Sequence, residues 1–161
     1  MVTMIPELCD WLSNTRLSLL IQNVSWLIPA VQSLHILSVA VVMSSMAMLD
    51  LRLMGVTARG QSLAAMAARL LPRMWIALIV LTLTGATLVI GEPARDLPNP
   101  AFQLKMAMLV AAIVLTAIIR RQIKKNEMFW EARPGSAKLA AAASLLLWVG
   151  IVVAGRWSAY V

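Results

Sequence analysis

The sequence has almost no cysteine or histidine and few charged residues. Cys9 is the only cysteine, so no disulfide bond and no cluster of thiolate metal ligands can form within one chain. His35 is the only histidine. Charged residues make up 13% of the chain, against about 25% in soluble domains, whereas hydrophobic residues make up 61%. A soluble fold of this length could not bury so much apolar surface, so the composition indicates a membrane protein.

The apolar residues fall into four long runs. The runs cover residues of about 29–49, 70–90, 101–119 and 139–155. Each is close to the ~20 residues that a helix needs to cross ~30 Å of hydrocarbon. We therefore predict an all-α fold, with residues 1–161 forming a single membrane domain that is an integral membrane four-helix bundle.

Residues 4–28 precede the first run and are amphipathic. Polar residues recur there at helical spacing, namely Thr15, Ser18, Gln22 and Ser25. The apolar residues of the same stretch fall on the other side, at Leu17, Leu20, Ile21, Val24 and Ile28. This pattern predicts an N-terminal amphipathic helix that lies in the membrane interface. Glu7 and Asp10 precede the first arginine, unlike the basic start of a cleavable signal, so we expect the segment to belong to the mature protein.

The net charge of +7 is concentrated in two segments between the apolar runs. Ten of the fourteen Lys and Arg residues lie there, namely Arg52, Arg59, Arg69, Arg73, Arg120, Arg121, Lys124, Lys125, Arg133 and Lys138. The positive-inside rule predicts that these segments are cytoplasmic. We therefore expect a multi-pass protein of a bacterial inner membrane with both termini periplasmic. No basic stripe is interleaved with aromatic residues, so we do not expect nucleic acid as a partner.

His35 is the most informative residue for function. It lies about six residues into the first run, roughly 9 Å below the outer interface. Ionisable residues at such depth usually face the interior of a bundle. The directions of the other helices bring Thr87, Met106 or Met108, and Trp148 towards the same depth. The candidate cofactor-binding residues are therefore Gln32, His35, Met106, Met108 and Trp148, with His35 also the candidate metal ligand.

Three interpretations of His35 stay open. A neutral imidazole can bond to Gln32, a threonine or a carbonyl and serve helix packing alone. It can ligate haem b or copper, in which case Met106, Met108, a symmetry mate or a partner subunit must supply a second ligand. It can also contact a quinone, with Gln32 as a second polar group.

Two other groups of residues suggest weaker hypotheses. The eleven methionines include one M-x-x-M, Met43 and Met46, but the pattern is not repeated, so we interpret them as apolar packing rather than a copper path. Asp50 lies at the inner end of the first run, where we expect it at the interface and able to pair with a neighbour. A proton-relay role for Asp50 is the less favoured alternative.

No P-loop, G-x-S-x-G elbow, H-E-x-x-H helix or dinucleotide fingerprint occurs in the sequence. We therefore expect no enzyme activity from the chain alone. The favoured function is a small inner-membrane subunit or anchor that sits in the lipid bilayer beside a redox or periplasmic partner or another copy of itself. The alternatives are a haem b or copper protein, a quinone-binding subunit, and a transporter of small solutes or metals.

Three stretches of the sequence carry a resemblance to a known family. They are Trp26-Leu27-Ile28-Pro29 followed by His35-Ile36-Leu37, then Leu49 to Gly55, then Asn99-Pro100-Ala101-Phe102 leading to Lys105. Together they resemble an uncharacterised family of short bacterial four-helix membrane proteins, a domain of unknown function. That family is distantly similar to the copper-resistance D proteins and other cytochrome b-like bundles, which would imply a haem site. Similar members carry a further histidine where this sequence has Ile118 to Arg121, and the departure argues against a bis-histidine haem.

Overall fold

The computed structural model describes residues 4–57, 60–126, 128–130 and 132–157. Arg59, one of the basic residues used above to predict orientation, lies outside the described residues. Within these ranges the chain forms helices and no strands. The helices are α1 (Met4–Ser13), α2 (Arg16–Asn23), α3 (Leu27–Leu53), α4 (Leu63–Gly91), α5 (Pro93–Asp96), α6 (Pro100–Lys125) and α7 (Pro134–Trp157).

Four of these helices, α3, α4, α6 and α7, are long and apolar enough to cross a membrane. The prediction of an all-α membrane protein with four spanning helices is therefore confirmed. Each helix is longer than the apolar run that predicted it, because local signals rather than hydropathy set the ends. The side chain of Ser62 accepts a hydrogen bond from the backbone of Ala65, and Asn99 does the same for Ala101 before Pro100.

The N-terminal segment differs from the single amphipathic helix predicted over residues 4–28. It forms two helices, α1 and α2, because Thr15 interrupts the first and caps the second by accepting a hydrogen bond from the backbone of Ser18. The polar face of α2 also points inward rather than to water. The Ser18 hydroxyl is fully buried and donates to the carbonyl of Ile90, and the Gln22 amide donates to the carbonyl of Gly91.

This docking has a physical cause at the end of α4. The last carbonyls of a helix have no partner inside it, and in an apolar environment they need donors from elsewhere. Ser18 and Gln22 supply those donors. The opposite side of α1 and α2 is apolar and exposed, at Leu8, Trp11, Leu17 and Leu20. The pair thus closes the outer end of α4 and turns its leucines towards the surroundings.

The four long helices pack as a bundle with one loose seam. The most extensive contact is between α3 and α4, followed by that between α6 and α7, and α3 also packs on α7. The contact between α4 and α6 is the smallest of these four. The buried core runs along α3, where Val42, Met46 and Leu49 have almost no exposed surface.

Candidate functional site

His35 lies half-buried against α4 in the half of the bundle that α2 covers, which we call the outer half. Its Nδ1 is 2.9 Å from the hydroxyl oxygen of Thr84. The Thr84 hydroxyl has one hydrogen, which it directs to the carbonyl of Val80 at 2.8 Å. With that hydrogen directed to Val80, Thr84 accepts from the Nδ1–H of His35, and in this tautomer of the neutral ring Nε2 is the acceptor nitrogen.

Gly85 makes room for the imidazole ring. A Cβ atom at this position would lie 3.3 Å from Cε1 of His35, closer than most real Cβ contacts. The glycine lets the ring rest directly on the backbone of α4. No motif in the sequence marks Gly85, because its contact with His35 depends on which faces of α3 and α4 meet.

Lys105 is the charged residue that belongs to this region. Its ammonium group interacts electrostatically with His35 and with Asp96. The ammonium also lies 4.9 Å from the centre of the Phe102 ring. The signal in the sequence was a lysine five residues inside α6 together with an acidic residue in the preceding loop. We call His35, Thr84, Lys105 and Asp96 the outer cluster.

The other candidate residues of the sequence have separate surroundings. Gln32 is exposed and Met106 is 36% exposed. The sulfur of Met108 lies against Gly150 of α7, where a Cβ would approach it to 3.1 Å. Trp148 is buried in the core at 2% exposure. No hydrogen bond among the described residues joins His35 to any of these four side chains, and Thr87 bonds to the carbonyl of Leu83.

A haem is the cofactor that the family resemblance would imply, and its fit rests on His35. The geometry at Nδ1 suits a metal-ligating histidine, which usually donates its other ring N–H. The chain has no second histidine. The sulfur of Met108 packs against Gly150, where α6 meets α7. Among the described residues, no group of three or more His, Cys, Asp or Glu side chains is placed to hold a metal ion. The residues of one chain therefore do not fit a haem with two protein ligands.

Asp50 has the least expected environment in the molecule. Sequence reasoning placed it at the interface with a neighbour to pair with, but its side chain is fully buried at 0% exposure. Neither carboxyl oxygen has a hydrogen-bond partner among the described residues. The residues one turn away on the same face, Met46 and Leu53, are also buried. The carboxyl group thus lies in the core of the bundle, against the prediction.

The hydroxyl of Ser144 on α7 is the polar group that interacts with this carboxyl. It interacts with Asp50, although the two side chains do not reach hydrogen-bond geometry and the hydroxyl also has no other partner. Trp148, one turn further along α7, has a buried indole N–H without a partner. We call Asp50 and Ser144 the inner site. Its burial was missed because the sequence does not show which face of α3 packs on α7.

Comparison with known proteins agrees with the sequence at the level of the family. The model of a family of unknown function, DUF6644, matches residues 20–161. No curated protein and no solved structure matches the chain. The further likeness to copper-resistance D and cytochrome b-like proteins has no support from these comparisons and stays a prediction. Because the match covers most of the sequence, the chain belongs to the DUF6644 family.

Proposed function

We propose that this protein is a small membrane subunit that takes up and releases a proton at Asp50 and works beside a redox or periplasmic partner. The observation that carries the proposal is the fully buried Asp50 carboxyl, whose two oxygens have no hydrogen-bond partner in the part of the chain that the structure describes. Ionisable residues inside a membrane are rare and usually serve transport or proton transfer.

The physical argument starts from the cost of burying a charge. An ionised carboxylate without a partner is strongly disfavoured in an apolar core, so the neutral acid is the expected resting form. Even the neutral acid is costly when its oxygens make no hydrogen bond. The Ser144 hydroxyl of α7 is the group that interacts with the carboxyl among the described residues. The buried carboxyl of Asp50 therefore reduces the stability of the fold, and this cost favours a functional role for the carboxyl.

A partner is part of the proposal because the interior of the chain offers no continuous polar path. His35 and Asp50 are fifteen residues apart on α3, roughly 22 Å along the helix axis. The fully buried apolar side chains of Val42, Met46 and Leu49 lie between them. The hydroxyls of Ser38 and Ser45 are also buried in this interval, but each donates to a carbonyl of α3 itself. A proton bound at Asp50 is therefore expected to exchange at one side only, which favours a subunit over a transporter or channel.

The membrane and the orientation are also part of the proposal. We place the chain in a bacterial inner membrane, with the termini periplasmic and the basic segments cytoplasmic, because of the distribution of Lys and Arg. In this orientation Asp50 lies near the cytoplasmic end of α3. A C-terminal reporter that is active only in the periplasm should be active, and a silent reporter would reverse the assignment.

Labelling with an apolar carbodiimide tests the protonation of Asp50. Such reagents react with protonated carboxyl groups in apolar surroundings, so we expect one labelled site in the purified protein, at Asp50. Labelling should decrease as the pH rises and should disappear in Asp50→Asn. Asp96→Asn, which changes an acid outside the spanning helices, is the matched control and should label normally. Unchanged labelling in Asp50→Asn would refute the assignment.

Isolation of the protein from native membranes tests the partner. We expect a second polypeptide to remain bound in mild detergent for both the natural chain and Asp50→Asn, because the substitution keeps the shape of the side chain. The uptake and release of protons by the complex should fall in Asp50→Asn and be partly restored in Asp50→Glu. A single species of one chain, with no bound polypeptide, would contradict the subunit proposal.

A ligand at His35 is the second candidate function. The observation in its favour is the free lone pair of Nε2 in a half-buried ring, with the Lys105 ammonium close enough to interact. A quinol can donate one hydroxyl to Nε2 and accept from the Lys105 ammonium at an oxygen of the same ring. Binding of a short-chain ubiquinol, followed by tryptophan fluorescence, should weaken in His35→Ala and persist in Gln32→Ala. Equal binding to both variants would exclude His35.

A further inference from the structure

The loose seam between α4 and α6 contains a groove at its basic end. Its volume is about 310 Å³, large enough for part of a lipid molecule. The contact between α4 and α6 is the smallest among the four neighbouring pairs of long helices. The groove lies between these two helices. The lining residues are Ala64, Ala67, Ala68, Leu71, Pro72, Arg120, Ile123 and Lys124.

The α4 wall of the groove is apolar and made of small residues. Three alanines and Pro72 keep the side chains short, so the backbone of α4 stays accessible from the groove. Leu71 and Ile123 are buried at its floor. These apolar side chains can pack against a hydrocarbon chain but form no hydrogen bonds. The α4 wall of the groove therefore suits an acyl chain.

The α6 wall adds two cations. Arg120 and Lys124 are one helical turn apart, and both line the groove. Neither makes an ion pair or a hydrogen bond with the described residues, and none of the lining residues is acidic. Two adjacent cations without counter-ions next to an apolar floor complement a molecule with an anionic head and an apolar tail. Basic pockets between helices at the cytoplasmic side are known to hold such lipid heads.

We propose that the groove between α4 and α6 binds an anionic glycerophospholipid. The phosphate lies between Arg120 and Lys124, and an acyl chain follows the alanine wall of α4. A free phosphate shares the chemistry of the head but would leave the apolar floor uncovered, which is the reason for assigning a lipid. The proposal does not depend on the role of Asp50.

Lipid exchange between detergent and the full-length protein tests the groove. The probe is phosphatidylglycerol, compared with phosphatidylcholine of the same chains and with inorganic phosphate, and bound lipid is counted by native mass spectrometry. We expect phosphatidylglycerol to be retained in preference to phosphatidylcholine. In Arg120→Gln/Lys124→Gln its affinity should fall roughly tenfold or more, from the loss of two cations near the phosphate.

The same helix provides a matched control. Arg121→Gln/Lys125→Gln removes equal charge from α6 at residues that do not line the groove, and it should keep the lipid preference. Ala68→Phe should displace the lipid by filling the apolar wall without any change in charge. Equal loss in both double variants would overturn the site in favour of a general charge effect. Displacement of the lipid by inorganic phosphate alone would show a phosphate site and overturn the lipid assignment.

Discussion

The outer cluster and the inner site both place polar side chains in the same bundle, but among the described residues only the outer cluster contains a hydrogen bond between two of its side chains. In the outer cluster the His35 ring bonds to Thr84, and the Lys105 ammonium has Asp96 and the Phe102 ring nearby. At the inner site the Asp50 carboxyl and the Ser144 hydroxyl have no hydrogen-bond partner. The outer polar groups thus stabilise the fold, whereas the inner ones reduce its stability. The difference in hydrogen bonding is the observation on which the proposed role of Asp50 rests.

The largest expected effect is at Asp50. Asp50→Ala removes a buried carboxyl with no partner, so it should raise the free energy of unfolding by about 1 to 2 kcal/mol, even after the small cavity is counted. The measurement is reversible unfolding in a mixed detergent titration. The proton-dependent carbodiimide labelling should be lost at the same time. A destabilised Asp50→Ala variant would show that the carboxyl has a stabilising partner. The inner site would then no longer differ from the outer cluster in its effect on stability.

A change at Thr84 should have the opposite sign. Thr84→Val keeps the shape of the side chain but leaves the Nδ1–H of His35 without an acceptor, so stability should fall by about 1 kcal/mol. The same unfolding titration measures it, and Thr84→Ser, which retains the hydroxyl, should behave as the natural chain. If Thr84→Val and Thr84→Ser are equally stable, the outer hydrogen bond does not stabilise the bundle.

The smallest effect concerns Asp96, which lies on α5 outside the spanning helices. Burial raises the pKa of Asp96 above its ordinary value, while Lys105 and Arg95 act to lower it. The folded protein therefore holds this proton more tightly than the unfolded chain does. The resulting stability is present below the ordinary carboxyl pKa and is lost as the pH rises through the raised value.

Asp96→Asn should flatten this part of the pH dependence. At neutral pH it should be as stable as the natural chain or more stable by at most about half a kcal/mol, because the side chain is only partly buried. Unfolding at several values between about pH 4 and about pH 7 measures the slope. If Asp96 instead makes the natural chain more stable towards neutral pH, the attraction of Lys105 lowers the pKa of Asp96 more than burial raises it.

Much of the fold could be predicted from the sequence because hydropathy and capping act locally. Four apolar runs predicted four helices, and Asn99-Pro100 marked the start of α6. The N-terminal segment was harder, because the amphipathic pattern is the same whether the polar side of a helix faces water or a helix end. Ser18 and Gln22 face the carbonyls at the end of α4, which the pattern of residues 4–28 does not reveal.

The candidate site was predictable only in part. A single histidine inside an apolar run directs attention to His35, and the structure gives it a partner in Thr84 and a charged neighbour in Lys105. The proposed convergence of five residues from three helices depended on their rotation about each helix axis. Depth alone does not determine that rotation, and Gln32 and Met108 have surroundings different from those of His35.

By itself, the sequence determined that the chain is a membrane protein with four spanning helices, because the length and hydropathy of each run decide whether a helix can cross a bilayer. Only the tertiary structure decided that Asp50 is buried without a partner, that Lys105 lies near His35, and that α4 and α6 leave a groove. The reason is that burial depends on which faces of the helices meet. Residues far apart in the chain set those contacts together.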